Sequence, residues 1–121
     1  MNELNLTIHT QQVDERCASV TLGGRLDAGN AQLIKETLMQ LINAGTIHLV
    51  IDLAQVPFID SAGLAALVSA LKTTRRIGGS VLLSGVQPQA RTVFSLTMLD
   101  QVFAIYPDLE AALASLTTTG G

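Results

Sequence analysis

The sequence has little cysteine and little histidine, and both shortages exclude kinds of site. Cys17 is the one cysteine among 121 residues, so an internal disulfide and a cysteine-based metal cluster are excluded. It lies in an alternating run, where an ordinary strand side chain is expected rather than a reactive thiol. His9 and His48 each lie in a strand-like run without a second ligand at metal spacing. The sequence therefore predicts no metal site.

Positive charge is also scarce. Seven Lys and Arg stand against ten Asp and Glu, which gives a net charge of -3. Binding to a nucleic-acid backbone needs clustered cations, so no nucleic-acid partner is expected. Lys72 with Arg75 and Arg76 forms one small basic group, a pattern typical of a solvated helix end.

Long hydrophobic runs are absent from the sequence. No run approaches the roughly 18 to 20 apolar residues that a membrane span needs. The first ten residues lack the basic start and apolar core of a signal peptide. The expectation is a cytoplasmic protein with no membrane partner.

Hydrophobic residues make up 48% of the chain, enough for a single core at this length. No linker or internal repeat is visible. The sequence predicts one domain over residues 4–116, followed by a flexible tail over 117–121.

Hydrophobic spacing alternates between the strand period and the helix period. LNLTIHT and CASVTLGG predict a hairpin, and TIHLVIDL, SVLLSGV and VFAIY predict three further strands. Helical spacing follows in GNAQLIKETLMQLINAG, DSAGLAALVSALK, PQARTVFSLTM and PDLEAALASL, with Asn30 or Asp27 available to cap the first helix. The fold class is therefore α/β, with a mixed, mostly parallel sheet of about five strands and about four helices. The spacing leaves open whether the helices cover one face of the sheet or both.

The polar loops after the strands do not predict an enzyme. Ser61 is not in a Gly-x-Ser-x-Gly elbow, and a triad would have to use a histidine from a strand body. Neither GGRLDAG nor IGGSVLLSG has the spacing of a phosphate loop or a dinucleotide fingerprint. A receiver-type phosphoacceptor at Asp52 would lack an adjacent acidic pair and a suitably placed lysine. No catalytic residue and no cofactor are predicted.

The segment DSAG, residues 60–63, is the remaining candidate. Asp60 is suited to cap a helix, and Ser61 would then occupy the first helical position. Two interpretations stay open, a cap alone or a phosphorylation site. A phosphate there would add about -1.5 to -2 charges beside a helix N-terminus that tolerates it and beside Asp60 and Asp27 that repel it. Such a charge would change what docks on the surface rather than the fold.

Small residues next to Ser61 fit either interpretation. Ala62 and Gly63 would leave the hydroxyl accessible to another protein, and Leu64 and Ala65 would continue an apolar surface along the helix. Alternatively, Gly63 only permits close packing of the helix on a strand.

Three stretches of the sequence resemble a known family. They are GGRLDAGNA, LVIDLAQVPFIDSAGLAALVSALK and IGGSVLLSGVQPQARTVFSLTMLDQVFAIYPDLEAAL. Together they are similar to the STAS domain of bacterial anti-sigma factor antagonists, from about Leu4 to Leu116. The Asp-Ser-x-Gly-Leu segment is the most specific mark, and the Gly-x-Leu-Asp segment supports it.

The resemblance implies a binding module rather than an enzyme. The unphosphorylated protein would bind an anti-sigma factor, often a serine kinase, and so free a sigma factor. Phosphorylation by that kinase would release the antagonist, and a PP2C-type phosphatase would reset it.

By the same resemblance, Ser61 is the phosphoacceptor and lies within a partner-binding surface. The residues implied for that surface are Asp27, Asp60, Ser61, Ala62, Gly63 and Leu64. Many relatives have a second serine where this chain has Ala62, so Ser61 is the motif's one hydroxyl. The alternative is a STAS subunit of another partner-switching, stress-signalling or transporter complex. The oligomeric state is not predicted.

Overall fold

The computed structural model describes residues 6–118, with side chains up to residue 116. The described strands are β1 Leu6–Gln12, β2 Cys17–Gly24, β3 His48–Gln55, β4 Ser80–Ser84 and β5 Ala104–Tyr106. The described helices are α1 Ala31–Asn43, α2 Ser61–Arg76, α3 Pro88–Leu96 and α4 Leu109–Thr118. A short 3-10 helix, Leu99–Gln101, follows α3. Residues 4 and 5 of the predicted domain and 119–121 of the predicted tail lie outside the described residues.

The strands form one sheet in the order β1-β2-β3-β4-β5, which is also their order in the sequence. β1 and β2 pair antiparallel across a turn at residues 13–16. The other neighbouring strands pair parallel, because a helix connects each of them to the next. The predicted mixed, mostly parallel sheet of five strands with four helices is confirmed.

Three helices cover one face of the sheet. Every crossover moves one strand further along the sheet, and right-handed crossovers then place α1, α2 and α3 on the same side. Their apolar stripes pack on Leu49, Ile51 and Leu53 of β3 in the main core. Phe94 of α3 is fully buried there, and its ring meets Phe103 edge to face at a centroid distance of 5.7 Å.

The fourth helix covers the opposite face. Val50 of β3 and Leu82 of β4 alternate with the main core residues and pack on Ala112 of α4 in a separate cluster. Helices therefore lie on both faces of the sheet, which answers the question that the spacing left open.

Candidate functional site

A short backbone pairing beyond the strand ends brings two loops together. Leu26, after β2, forms an isolated parallel bridge with Ile59, after β3. The Leu26 N–H donates to the carbonyl oxygen of Phe58, and the Asp60 N–H donates to the carbonyl oxygen of Leu26, both at 3.0 Å. The loop after β2 and the start of α2 therefore lie side by side at the carboxyl ends of β2 and β3.

The Asp60 carboxylate caps α2 and also bonds to the neighbouring loop. Its Oδ1 accepts from the backbone N–H groups of Ala62 at 2.9 Å and Gly63 at 3.0 Å. Its Oδ2 accepts from the N–H of Ala28 at 3.3 Å. One side chain thus satisfies two free amides of the helix end and holds the two loops in contact.

Ser61 is the first residue of α2 and is exposed. The nearby residues Ala28, Gly29 and Ala62 have small side chains or none. Ala62 is half-buried, and Ala28 and Gly29 are exposed. Its surroundings leave room for an approaching protein, and its backbone is fixed by the capped helix.

Asp27 lies in the loop after β2, whose shape depends on Asn30. The Asp27 Oδ1 accepts from the N–H of Gly29 at 2.9 Å. Asn30 Oδ1 accepts from the N–H of Asp27 at 3.0 Å, and Asn30 Nδ2 donates to the carbonyl oxygen of Arg25 at 2.7 Å. Asn30 occupies the cap position of α1, but its 2% exposed side chain bonds to this loop rather than to the helix amides.

Gly63 and Leu64 lie in the interior rather than on the surface. A Cβ at Gly63 would stand 2.6 Å from the carbonyl oxygen of Leu26, so the glycine permits close approach of α2 to that segment. The Leu64 side chain is 7% exposed and packs in the main core, whereas Ala65 is exposed. The expectation that Leu64 continues an exposed apolar surface is wrong, because it lies on the buried stripe of α2.

A shallow groove between α1 and α2 begins beside Ser61. Its volume is about 260 Å³. It is lined by Ala31, Gln32, Lys35, Ala62, Ala65, Ala66 and Ser69. The groove combines small side chains with one cation from α1, a surface open to a partner segment.

Gln89 of α3 also bonds to the segment before Ser61, and no sequence motif points to it. Its Oε1 accepts from the N–H of Ile59 at 2.9 Å, and its Nε2 donates to the carbonyl oxygen of Ile59 at 3.0 Å. A bond between residues thirty positions apart has no local signature in the sequence.

The other candidates are remote from Ser61 or have structural partners. His48 begins β3, the strand end away from Ser61, and its Nδ1 lies 2.8 Å from Ser80 Oγ. Asp52 accepts from the N–H of Ala54 and from Ser84 Oγ. Burial, followed by the charge of Asp14, raises the pKa of the Cys17 thiol, which disfavours the reactive thiolate.

The described residues contain neither a cluster of metal ligands nor a helix that could cross a membrane. No group of three or more His, Cys, Asp or Glu side chains in this part of the chain could hold a metal ion. Over the same residues, no helix has both the length and the hydrophobicity needed to cross a membrane.

Comparisons with known proteins agree on one family. The family model described as STAS domain matches residues 9–112. The anti-sigma-B factor antagonist of Listeria monocytogenes is 29% identical over 102 residues, which cover 84% of this chain and 90% of that relative. An anti-sigma factor antagonist from Mycobacterium paratuberculosis has a crystal structure with a TM-score of 0.84 and 26% identity, covering 93% of this chain and 95% of that one.

A third relative shows the fold alone. SpoIIAA, a Bacillus cell fate determinant, in its phosphorylated form has a TM-score of 0.74 at 17% identity, covering 91% of this chain and 99% of that one.

Proposed function

The chain belongs to the STAS domain family, and we propose that it is an anti-sigma factor antagonist whose binding is controlled by phosphorylation of Ser61. The observation that carries the proposal is the position of Ser61, exposed at the start of α2 on a backbone that Asp60 holds in place. The anti-sigma factor binds the unphosphorylated form, and its sigma factor is then free.

The partner surface that we propose is centred on the start of α2. Ser61, Ala62 and the carboxylates of Asp27 and Asp60 contact the anti-sigma factor directly, since none of them is buried. Gly63 and Leu64 contribute from the interior by setting the position of the helix against Leu26 and the core.

A phosphate on Ser61 would find the nearest helix amides already occupied. The amides of Ala62 and Gly63, which would otherwise attract an anion at this helix end, already bond to Asp60. The dianion therefore lies on the surface beside a carboxylate, where it blocks docking. The fold is expected to persist, in line with the matching fold of the phosphorylated SpoIIAA structure.

The proposed cycle needs two other enzymes, and the domain itself acts by binding rather than catalysis. A serine kinase of the anti-sigma factor type modifies Ser61, and a PP2C-type phosphatase removes the phosphate. Both reactions take place in the cytoplasm, where the sigma factor acts.

Substitution of Ser61 separates binding from phosphorylation. We expect Ser61→Ala to bind the anti-sigma factor as the unmodified protein does and to gain no phosphate from the kinase and ATP. Ser61→Glu should weaken binding at least about tenfold, because a charge replaces the hydroxyl at the contact. Titration calorimetry measures the affinity, and intact mass measures the phosphate.

Ser95→Glu is the matched control, because Ser95 is an exposed serine on α3, outside the proposed surface. It should bind as the unsubstituted protein does. Equal affinities for Ser61→Glu and Ser95→Glu would overturn the proposed control by charge. Binding without phosphate incorporation by an active kinase would favour the alternative, a constitutive STAS subunit.

A further inference from the structure

The three residues before Ser61 form a miniature strand with partners on both edges. On one edge, the carbonyl oxygen of Phe58 and the N–H of Asp60 bond to the backbone of Leu26. On the other edge, both backbone groups of Ile59 bond to the Gln89 side chain. In a sheet the second edge would be completed by another strand, whereas here one amide side chain completes it.

A primary amide is the neutral side-chain group that fits this edge. Gln89 presents one acceptor and donors on the same planar group, which matches the outward-facing N–H and carbonyl of one residue in extended conformation. The Ile59 side chain is 1% exposed in the core, so the residue is fixed both by its side chain and by its backbone.

The position of Ser61 follows from this pairing through two residues. Asp60 is held by its own N–H on Leu26, and its carboxylate then caps α2 at Ala62 and Gly63. If the Gln89 side chain is removed, the backbone N–H and carbonyl oxygen of Ile59 both lose their hydrogen-bond partner. Asp60 and the first turn of α2 are then tethered on one side only.

We propose that Gln89 is a positioning residue for Ser61. It holds the segment of residues 58–60 in register from the side of α3, and so presents the serine in the one orientation that a kinase and an anti-sigma factor recognise. The effect on phosphorylation of Ser61 rests on the proposed function. The effect on the backbone of residues 58–60 does not depend on that function.

Two substitutions of nearly equal size test the proposal. Gln89→Met removes donor and acceptor, and Gln89→Glu keeps the acceptor but loses the donor while the carboxylate is ionised. In Gln89→Met, we expect amide hydrogen exchange to accelerate at Ile59, Asp60 and Ala62 relative to the rest of the core. The kcat/KM for phosphorylation of Ser61 by its kinase should fall about tenfold or more, because the acceptor is misplaced.

The matched control is Gln87→Met. Gln87 also lies at the start of α3 and donates from its side chain to a backbone carbonyl, that of Ala54 at 2.7 Å, but not to the segment before Ser61. Its loss should leave exchange at residues 59–62 and phosphorylation of Ser61 unchanged.

Gln89→Glu adds a readout that general destabilisation would not move. Its carboxyl group gains a donor when protonated, so the protection factors of Ile59 and Asp60 should recover toward the unsubstituted values as the pH falls through roughly 4 to 5. Unsubstituted protein and Gln87→Met should show no such recovery.

Two results would overturn the inference. One is unchanged exchange at residues 59–62 in both Gln89 variants, and the other is loss of protection spread evenly over the whole core. Faster exchange confined to this segment supports positioning even if no kinase modifies Ser61. In that case only the proposed phosphorylation fails.

Discussion

The Asp60 carboxylate has two structural tasks at once. One oxygen caps α2, and the other bonds to Ala28 in the loop after β2. Asp108 before α4 provides a natural comparison, since its Oδ1 accepts from the N–H of Ala111 at 2.8 Å as an ordinary cap. Asp60 therefore differs from Asp108 by one more bond to its helix and by the bond between the loops.

We expect Asp60→Ala to lower the free energy of unfolding by about 1 to 2 kcal/mol, the usual cost of a lost cap, and to cost more than Asp108→Ala. Asp60→Asn should lose less, because its amide oxygen can still accept from the helix. Urea denaturation followed by circular dichroism measures all three variants. An equal loss in Asp60→Ala and Asp108→Ala would show that neither the second cap bond nor the Ala28 bond adds stability.

The sequence predicted the local chemistry of the site better than its packing. Asp60 as a cap could be predicted because capping depends on residues within one turn. The burial of Leu64 was missed, since a helix start reveals its buried stripe only when its partner elements are known. Asn30 and Gln89 act on backbone groups rather than on side chains, so no motif points to their bonds.

At the scale of elements, α2 packs unusually close to its neighbour at Gly63. The carbonyl oxygen and the Cβ of Leu26 would lie 2.6 and 2.8 Å from an added Cβ at this position. For alanine at this position, helix propensity predicts a more stable domain and packing predicts a less stable one. A stability measurement therefore shows which of the two effects is larger.

Gly63→Ala should destabilise the domain by about 1 to 3 kcal/mol through overpacking, although alanine is the better helix former by about 1 kcal/mol. Ala65→Gly, at an exposed position of the same helix, should cost about 1 kcal/mol through propensity alone. Thermal denaturation compares the two. A more stable Gly63→Ala protein would mean that the helix shifts at no cost and that the close approach is not required.

Element types were predictable because strand and helix periods differ, but the location of α4 was not. Both faces of β3 are apolar, with Leu49 and Ile51 on one side and Val50 on the other. Such a strand accepts a helix on either face. The right-handed crossovers all move in the same direction along the sheet, and this places α1, α2 and α3 on one face. The other face is then left for α4.

For the molecule as a whole, α4 closes the second core. Ala112 is fully buried against Val50 and Leu82. We expect Ala112→Glu to cost about 3 kcal/mol or more, since a charge would be buried without a partner. Differential scanning calorimetry should show a large fall in melting temperature, whereas Ala114→Glu, at an exposed position of the same helix, should change it little. Similar melting of the two variants would show that α4 does not seal this face.

The order of strands in the sheet has a consequence for how the chain acquires its fold. Strand order equals sequence order, so each described strand after β1 finds one neighbour already synthesised when it leaves the ribosome. The connection between neighbouring strands contains at most one α-helix, joined between β4 and β5 by the short 3-10 helix, which keeps the entropy of loop closure small. Among the described elements α4 arrives last, and until it docks Val50 and Leu82 are open to water. The nascent domain therefore exposes an apolar surface on this face of the sheet until α4 has been synthesised and has docked. A chaperone could bind that surface during this interval.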